Sequence, residues 1–150
     1  MLIESTVHMH KSTLEMLERG AERTGRTRTF IIKVLMQRMM SNNHHMIKSN
    51  ARIKYQSRDN KENWHRLHVV LNECEYEYYL DMRKFYKMSV SFILAYAAIR
   101  YLDEIINELL NGSKNTDNYF YKNYIFIRKT INKVIYWQIY WGLPQKLPVY

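Results

Sequence analysis

The residues whose types could support chemistry are a row of carboxylates and a pair of adjacent histidines. Glu15, Glu18 and Glu22 follow one another at helical spacing, but arginines are interleaved with them, which is typical of a solvated ion-pair face. His44 and His45, together with His8 and His10, could ligate a metal, yet adjacent histidines point to different sides of a helix and no cysteine or carboxylate motif accompanies them. The sequence also has no phosphate loop or nucleophile elbow. It therefore predicts neither an enzyme nor a cofactor or metal site.

The net charge gives the first indication of a partner. Basic residues outnumber acidic ones 23 to 14, and a formal net charge of +9 on 150 residues favours attraction to polyanions such as nucleic acid or an anionic membrane. Residues 1–63 hold 12 basic and 6 acidic side chains, residues 64–112 hold 5 and 7, and residues 113–150 hold 6 and 1. The middle third is acidic, so we expect it to contribute less to binding a polyanion.

The composition is that of a globular protein, with 47% apolar and 25% charged residues. The single cysteine, Cys74, excludes an internal disulfide and gives no sign of an oxidising compartment. No basic segment followed by an apolar stretch opens the chain, and no apolar run approaches the roughly 18 residues of a membrane span. We therefore expect a cytoplasmic protein.

Hydrophobic periodicity divides the first 40 residues into one strand and two helices. Residues 5–9 alternate small or polar with apolar side chains, as a short strand does. Helical spacing of apolar residues follows and ends at Gly25, because a left-handed C-cap favours glycine. Thr27 can cap a second helix, which the 3.6-residue period extends to about Met40.

The same order recurs later in the chain. Shifting the sequence by 62 residues lays residues 66–71 onto 4–9, and residues 89–94 onto 27–32, with no gap. The second copy is predicted to contain a strand at 66–71, a helix at about 73–86 and a helix from Ser89 to about Leu110. We divide the chain into a first unit at 1–47, a basic linker at 48–63, a second unit at 64–112, and an aromatic, basic segment at 113–150.

A short strand needs a partner for its backbone N–H and C=O groups. Two antiparallel strands form a ribbon whose inner side chains join the helices in one core, and these side chains are Val7, Met9, Leu67, Val69 and Leu71. The sequence thus predicts a mainly α-helical protein with one short two-stranded antiparallel β-ribbon. The two units pair within one chain or, as the structural alternative, between chains.

The strand, helix, helix order resembles that of the ribbon-helix-helix (MetJ/Arc) DNA-binding proteins. The resemblance covers both copies and is closer in the first, from about Thr6 to Met39, where its core is the segment 22–35 with the turn Arg-Thr-Gly-Arg-Thr-Arg. It implies that a two-stranded ribbon enters the DNA major groove and that the start of the second helix binds a phosphate. A helix N-terminus independently favours an anion, because its N–H donors are unpaired and its dipole end is positive.

The resemblance assigns two sets of residues, taken over both copies. Base reading falls to outward strand residues, namely Glu4, Thr6, His8, Arg66 and His68. Phosphate binding falls to residues at or before a helix start, namely Arg26, Thr27, Arg28, Thr29 and Ser89. The second copy departs from the pattern, since Val70 is a poor base reader and Lys87 replaces Gly25, so that its turn must be made differently. The implied function is a transcriptional repressor or DNA-site regulator that binds double-stranded DNA.

The C-terminal segment leaves other functions open. Its apolar residues Tyr124, Ile127, Ile131, Val134 and Ile135 share one helical face, which predicts an amphipathic helix within residues 119–141. That helix could form a homo-oligomer contact. It could also bind a partner protein, as in an antitoxin whose tail occupies a toxin, or lie on a membrane surface.

Overall fold

The computed structural model describes residues 1–41, 47–48, 52–57, 61–112 and 124–141. Within these residues the order of one strand followed by two helices occurs twice, and a two-stranded hairpin follows. The strands are β1 (Leu2–His10), β2 (Ile47–Lys48), β3 (Trp64–Asn72), β4 (Tyr124–Ile131) and β5 (Val134–Trp141), and a short 3₁₀ turn at Lys61–Asn63 precedes β3. The helices are α1 (Lys11–Thr24), α2 (Arg28–Ser41), α3 (Glu73–Tyr86) and α4 (Val90–Leu110).

The first helix of each copy begins directly after its strand because a side chain caps it. His10 Nδ1 accepts a hydrogen bond from the Ser12 N–H at 3.1 Å at the start of α1. Asn72 and Glu75 form a reciprocal capping box at the start of α3, with bonds of 2.8 and 3.0 Å. The change from extended to helical backbone is therefore encoded at the last strand residue of both copies.

The residue that ends the first helix has the same left-handed backbone conformation in both copies. Gly25 has φ 67° and Lys87 has φ 56°, and each N–H caps the helix before it by donating to the carbonyl oxygen four residues earlier. The expectation that Lys87 makes the turn differently is wrong for the C-cap itself. The next residue does differ, because the Arg26 N–H donates to the Ala21 carbonyl oxygen whereas Met88 forms a β-bridge with Lys54. The lysine adopts the left-handed conformation that glycine tolerates more easily.

The two copies are joined by β1 and β3, which pair antiparallel over all nine residues of each strand. Thr6 faces His68 at the centre of this ribbon, and these two residues are equivalent in the internal repeat. The ribbon therefore has an approximate two-fold axis at this pair. Its inner side chains enter the core, and the buried ones are Val7, Met9, Val69 and Leu71.

Helix α4 lies against both helices of the first copy. Gly20 allows α1 to approach α4 closely, since a Cβ at this position would lie 3.3 Å from Leu102 Cδ1 of α4. The hydroxyl of Tyr78, on α3, donates to the Met36 carbonyl oxygen of α2 at 2.7 Å. The two copies thus share one core rather than folding side by side.

The predicted fold class is wrong, because the chain is mixed α and β rather than mainly α with a C-terminal helix. Residues 124–141 form an antiparallel hairpin, and β2 adds a third strand beside β5 in the order β2-β5-β4. Asn132 (φ 50°) and Lys133 (φ 66°) form its two-residue turn, with the positive φ values that a type I′ turn requires. The run of β-branched and aromatic residues on both sides of this turn favours strands.

The hairpin packs on the helical body. Ile139 is fully buried, and the Tyr124 hydroxyl donates to Asp81 Oδ2 at 2.6 Å. The Tyr124 ring also lies edge-on to Tyr78, with centroids 5.2 Å apart. Residues 124–141 are thus not the helix that was predicted to make a homo-oligomer contact.

Candidate nucleic-acid interface

The outward face of the β1–β3 ribbon brings together all five residues assigned to base reading. Because side chains alternate along a strand, the even-numbered residues of both strands point away from the core. Cross-strand neighbours on this face are Glu4 with Val70, Thr6 with His68, and His8 with Arg66. We call these six residues the outer ribbon face, and all but the half-buried His8 are exposed.

The centre of the outer ribbon face carries a small polar network. His68 Nδ1 lies 2.9 Å from Glu4 Oε1 and 3.4 Å from Thr6 Oγ1. A proton on Nδ1 lets His68 donate to the carboxylate, which leaves Nε2 directed to solvent or to a ligand. The network therefore orients the imidazole before any partner binds.

The two ends of the outer ribbon face differ in chemistry. One end pairs the carboxylate of Glu4 with the apolar side chain of Val70, which is 47% exposed. The other pairs the imidazole of His8 with the guanidinium of Arg66. The backbone is close to two-fold symmetric, whereas the groups that it presents are not.

The start of α2 holds the first group of predicted phosphate ligands. Thr27 Oγ1 accepts from the Phe30 N–H at 3.1 Å, so Thr27 is the N-cap that the sequence predicts. The Arg26 guanidinium lies 4.9 Å from the Phe30 ring centroid, and Arg28 Nη1 lies 3.2 Å from Glu18 Oε1. Both arginines are thus held beside the helix start and remain exposed.

The start of α4 is arranged differently, although it occupies the equivalent place in the repeat. The Ser89 N–H donates to the Lys54 carbonyl oxygen at 2.9 Å, and Ser89 Oγ accepts from the Phe92 N–H at 3.2 Å. The Lys54 N–H in turn donates to the Lys87 carbonyl oxygen at 2.8 Å. The 52–57 segment therefore covers part of this helix start, where Ser89 was predicted to bind a phosphate.

A cleft of about 590 Å³ lies between β1, the 52–57 segment, α3 and the start of α4. Three of its lining residues, Gln56, Tyr79 and Arg83, each have a buried polar atom without a hydrogen-bond partner among the described residues. These atoms are Gln56 Oε1, the Tyr79 hydroxyl oxygen and Arg83 Nε. Leaving a buried polar group unpaired costs roughly 1–3 kcal/mol.

The cleft was not predicted from the sequence, although one signal was present. Tyr79 and Arg83 stand where the first copy has Leu17 and Ala21, so the repeat alone places polar groups at positions that are apolar elsewhere. Burial, followed by the nearby charge of Glu75, raises the pKa of Tyr79 far above its usual value. The cleft therefore holds a neutral phenol beside a guanidinium.

Two carboxylates of the acidic row of α1 take part in surface ion pairs. Glu15 Oε1 lies 3.9 Å from Lys11 Nζ, and Glu18 is the partner of Arg28. Within the described residues no three His, Cys, Asp or Glu side chains are grouped so that they could hold a metal ion. His44 and His45 lie outside the described residues. No helix in the described part of the chain has both the length and the apolar character to span a bilayer.

Comparison with protein-family models, curated protein sequences and solved structures finds no match to this chain. The functional argument therefore depends on the outer ribbon face, the helix starts and the cleft.

Proposed function

We propose that the protein is a cytoplasmic, sequence-specific DNA-binding protein that acts as a transcriptional repressor or DNA-site regulator. The observation that carries the proposal is the outer ribbon face, where polar side chains of two antiparallel strands lie in register and point away from the core. A two-stranded ribbon fits the major groove, in which each base pair presents a distinct set of donors and acceptors. The resemblance of residues 22–35 to ribbon-helix-helix proteins supports the same proposal.

Each end of the outer ribbon face suits different bases. Arg66 is the side chain best suited to donate two hydrogen bonds to guanine O6 and N7, with His8 beside it as a further polar contact. Glu4 can accept from cytosine N4, and the exposed Val70 can contact a thymine methyl group. We therefore expect a target whose two halves differ, despite the two-fold backbone of the ribbon.

Affinity for the phosphate backbone is assigned to the start of α2. Arg26 and Arg28 supply positive charge there, and Thr27 and Thr29 supply hydroxyl and backbone donors near the positive end of the helix dipole. Ser89 keeps its predicted role only as a secondary contact, since its own N–H is bonded to Lys54. The basic charge of the first copy fits this division.

The test is selection of duplexes from a randomised pool, followed by titration of the enriched duplex and of a scrambled duplex at two salt concentrations. We expect enrichment of a site without two-fold symmetry, and an affinity that falls as salt rises. A pool that yields no enriched sequence would contradict sequence-specific binding. A palindromic consensus would contradict the assignment of unlike ends.

Variants separate the two kinds of contact. Arg28→Ala should weaken binding to both duplexes about equally and reduce the salt slope by about 1. His8→Ala should mainly reduce the preference for the enriched duplex, by roughly fivefold or more. Arg100→Ala removes the same charge from an exposed site on α4, and serves as the matched control with little effect. Equal losses from Arg28→Ala and His8→Ala on every duplex, or a loss from Arg100→Ala as large as that from Arg28→Ala, would refute the assignment.

A further inference from the structure

Several residues that line the cleft beside β1 have polar atoms that make no hydrogen bond within the described residues. The Tyr79 side chain is 94% buried, since its exposed fraction is 6%, and its hydroxyl has no partner within the described residues. Arg83 Nη2 donates to the Tyr55 hydroxyl at 2.9 Å, whereas Arg83 Nε and Gln56 Oε1 have no hydrogen-bond partner in the described part of the chain. The three atoms without a partner among the described residues therefore belong to side chains of two separate segments, and all three residues line the same cleft.

The residues that line the cleft favour an anion, and the nearby carboxylate of Glu75 is paired with Lys33 Nζ at 3.1 Å. Arg83 is the residue with a formal charge among those described as lining the cleft, and the start of α4 adds Ser89, Val90 and Ser91 to the same wall. The first N–H groups of a helix point out of its end, where the helix dipole is positive. A guanidinium and a helix start on one cleft suit a carboxylate, and the neutral Tyr79 hydroxyl can donate to the same group.

The other residues that line the cleft favour a ligand whose anionic group is attached to a flat, largely apolar ring system. Trp64 and Tyr76 contribute aromatic rings and Leu80 an aliphatic side chain. A volume of about 590 Å³ lies within the range of sites for small organic molecules. The combination of apolar walls with a few polar groups is the usual composition of such sites.

We propose that this cleft is a binding site for a small aromatic carboxylate. The carboxylate lies between Arg83, the Tyr79 hydroxyl and the start of α4, and the ring lies toward Trp64 and Tyr76. A ligand here also contacts Ser5, Thr6 and Val7 of β1, so it braces the strand that carries part of the outer ribbon face. Modulation of DNA binding by the ligand rests on the proposed function, whereas ligand binding itself does not.

The internal repeat supplies an independent argument. The first copy fills the positions of Tyr79 and Arg83 with Leu17 and Ala21, and Leu17 is fully buried with no polar atom to satisfy. The same backbone position is therefore stable with an apolar side chain. The polar pair in the second copy is not needed for packing, which points to a role in binding.

The test uses the full chain and three probes, namely indole-3-acetate, its neutral counterpart indole-3-acetamide, and inorganic phosphate. Binding is followed by calorimetric titration, and the contacted residues by amide chemical shifts. We expect saturable binding of indole-3-acetate with shifts at Ser5–Val7 and Val90, and at least about tenfold weaker binding of the amide. Phosphate should bind more weakly than indole-3-acetate, because it lacks the ring.

Variants of Arg83, Tyr79 and the control residue Tyr78 test which side chains bind the ligand. Arg83→Gln should weaken binding of indole-3-acetate by about tenfold or more, and Tyr79→Phe by about fivefold. Tyr79→Phe should also leave the free protein at least as stable as the parent, because it removes a hydroxyl that no described residue pairs with. Tyr78→Phe is the matched control, since its hydroxyl is bonded to the Met36 carbonyl oxygen; this variant should lower stability and leave binding unchanged within about twofold.

Defined outcomes would overturn the proposal. These are no saturable binding of indole-3-acetate up to about 10 mM, equal binding of acid and amide, or unchanged binding by Arg83→Gln. Binding of phosphate alone would assign the cleft to a free phosphate and reject the aromatic ligand. If indole-3-acetate binds as expected but no duplex is enriched in the pool selection, the ligand site stands and the DNA proposal fails.

Discussion

The ion pairs of Arg38 give a stability prediction that can be worked from the geometry. Arg38, on α2, has Nη2 2.6 Å from Glu108 Oε2 and Nη1 3.0 Å from Glu108 Oε1, and Nη1 also lies 2.8 Å from Glu104 Oε1. The Arg38 side chain is only 11% exposed. Arg38→Met keeps the apolar stem but removes the charge that joins α2 to α4.

The expected loss follows from burial. A hydrogen bond to a charged group contributes roughly 1.5–3 kcal/mol when it is made. The carboxylates of Glu108 and Glu104 are 33% and 57% exposed, so water takes over part of their hydrogen bonding once Arg38 is gone. We therefore expect the free energy of unfolding to fall by about 2–3 kcal/mol, which corresponds to a Tm lower by about 5–10 °C for a chain of this size.

Urea unfolding at 25 °C measures this loss, with Arg28→Met as the matched control. Among the described residues Arg28 pairs with Glu18 alone, at 3.2 Å, and both side chains are nearly half exposed, so its removal should cost less than about 1 kcal/mol. A double-mutant cycle of Arg38→Met with Glu108→Gln should show coupling of about 1–2 kcal/mol. An Arg38→Met variant within roughly 0.5 kcal/mol of the parent, or no more affected than Arg28→Met, would refute the reasoning.

Two further stability predictions come from the turn of the second copy and from the hairpin. Lys87→Gly should raise the free energy of unfolding by about 1 kcal/mol, because glycine adopts φ 56° without strain. Gly25→Ala should lower the free energy of unfolding by about the same amount. Thermal melts check both variants, and a change of the same sign in both would contradict the argument. Ile139→Ala should lower the free energy of unfolding by about 2–4 kcal/mol, because the side chain is fully buried. Ile135, on the same strand, is 38% exposed, so Ile135→Ala should cost about 1 kcal/mol or less. Equal urea midpoints for the two variants would contradict packing of the hairpin on the helical body.

Local patterns were sufficient to predict the elements of residues 2–41 and 64–110. Alternation placed Val7 and Val69 on the inner side of their strands, and both are buried. Helix starts and ends carry strong signals as well, since Thr27 caps α2 and Gly25 ends α1 as predicted. These features depend on residues within a few positions of one another, which is the range over which sequence reasoning is strongest.

The C-terminal hairpin was not predicted because its apolar residues are compatible both with the 3.6-residue period of a helix and with a β-strand. Ile127, Ile131 and Val134 fall on one helical face, yet they are β-branched and also suit strands. The deciding signal was the Asn132-Lys133 pair between two such runs, which forms the turn. Asparagine tolerates a positive φ more readily than most residues, so this position indicates a hairpin rather than a continuous helix.

The cleft could not be predicted, because it forms where distant segments meet. Gln56 reaches it only because Lys54, two residues before, bonds to the backbone of Lys87 and Ser89 at the α3–α4 turn. No pattern in the sequence links residue 54 to residue 88, although the two form a parallel β-bridge. Such a contact depends on the path of a connecting segment, which carries no periodic signal.

Comparison of the two copies separates positions that packing requires from positions that are free to differ. Val7 and Val69, buried in equivalent places, show what the shared backbone requires of the inner ribbon. Exposed outer positions such as Glu4 and Arg66 are equivalent in the repeat yet opposite in charge, and no packing constraint prevents this. Tyr79 differs from its counterpart Leu17 in another way, since it places at a buried position a hydroxyl that has no partner among the described residues. A ligand that pairs with this hydroxyl would account for a difference that packing neither requires nor favours. We therefore expect the cleft, rather than the shared core, to give the second copy a function of its own.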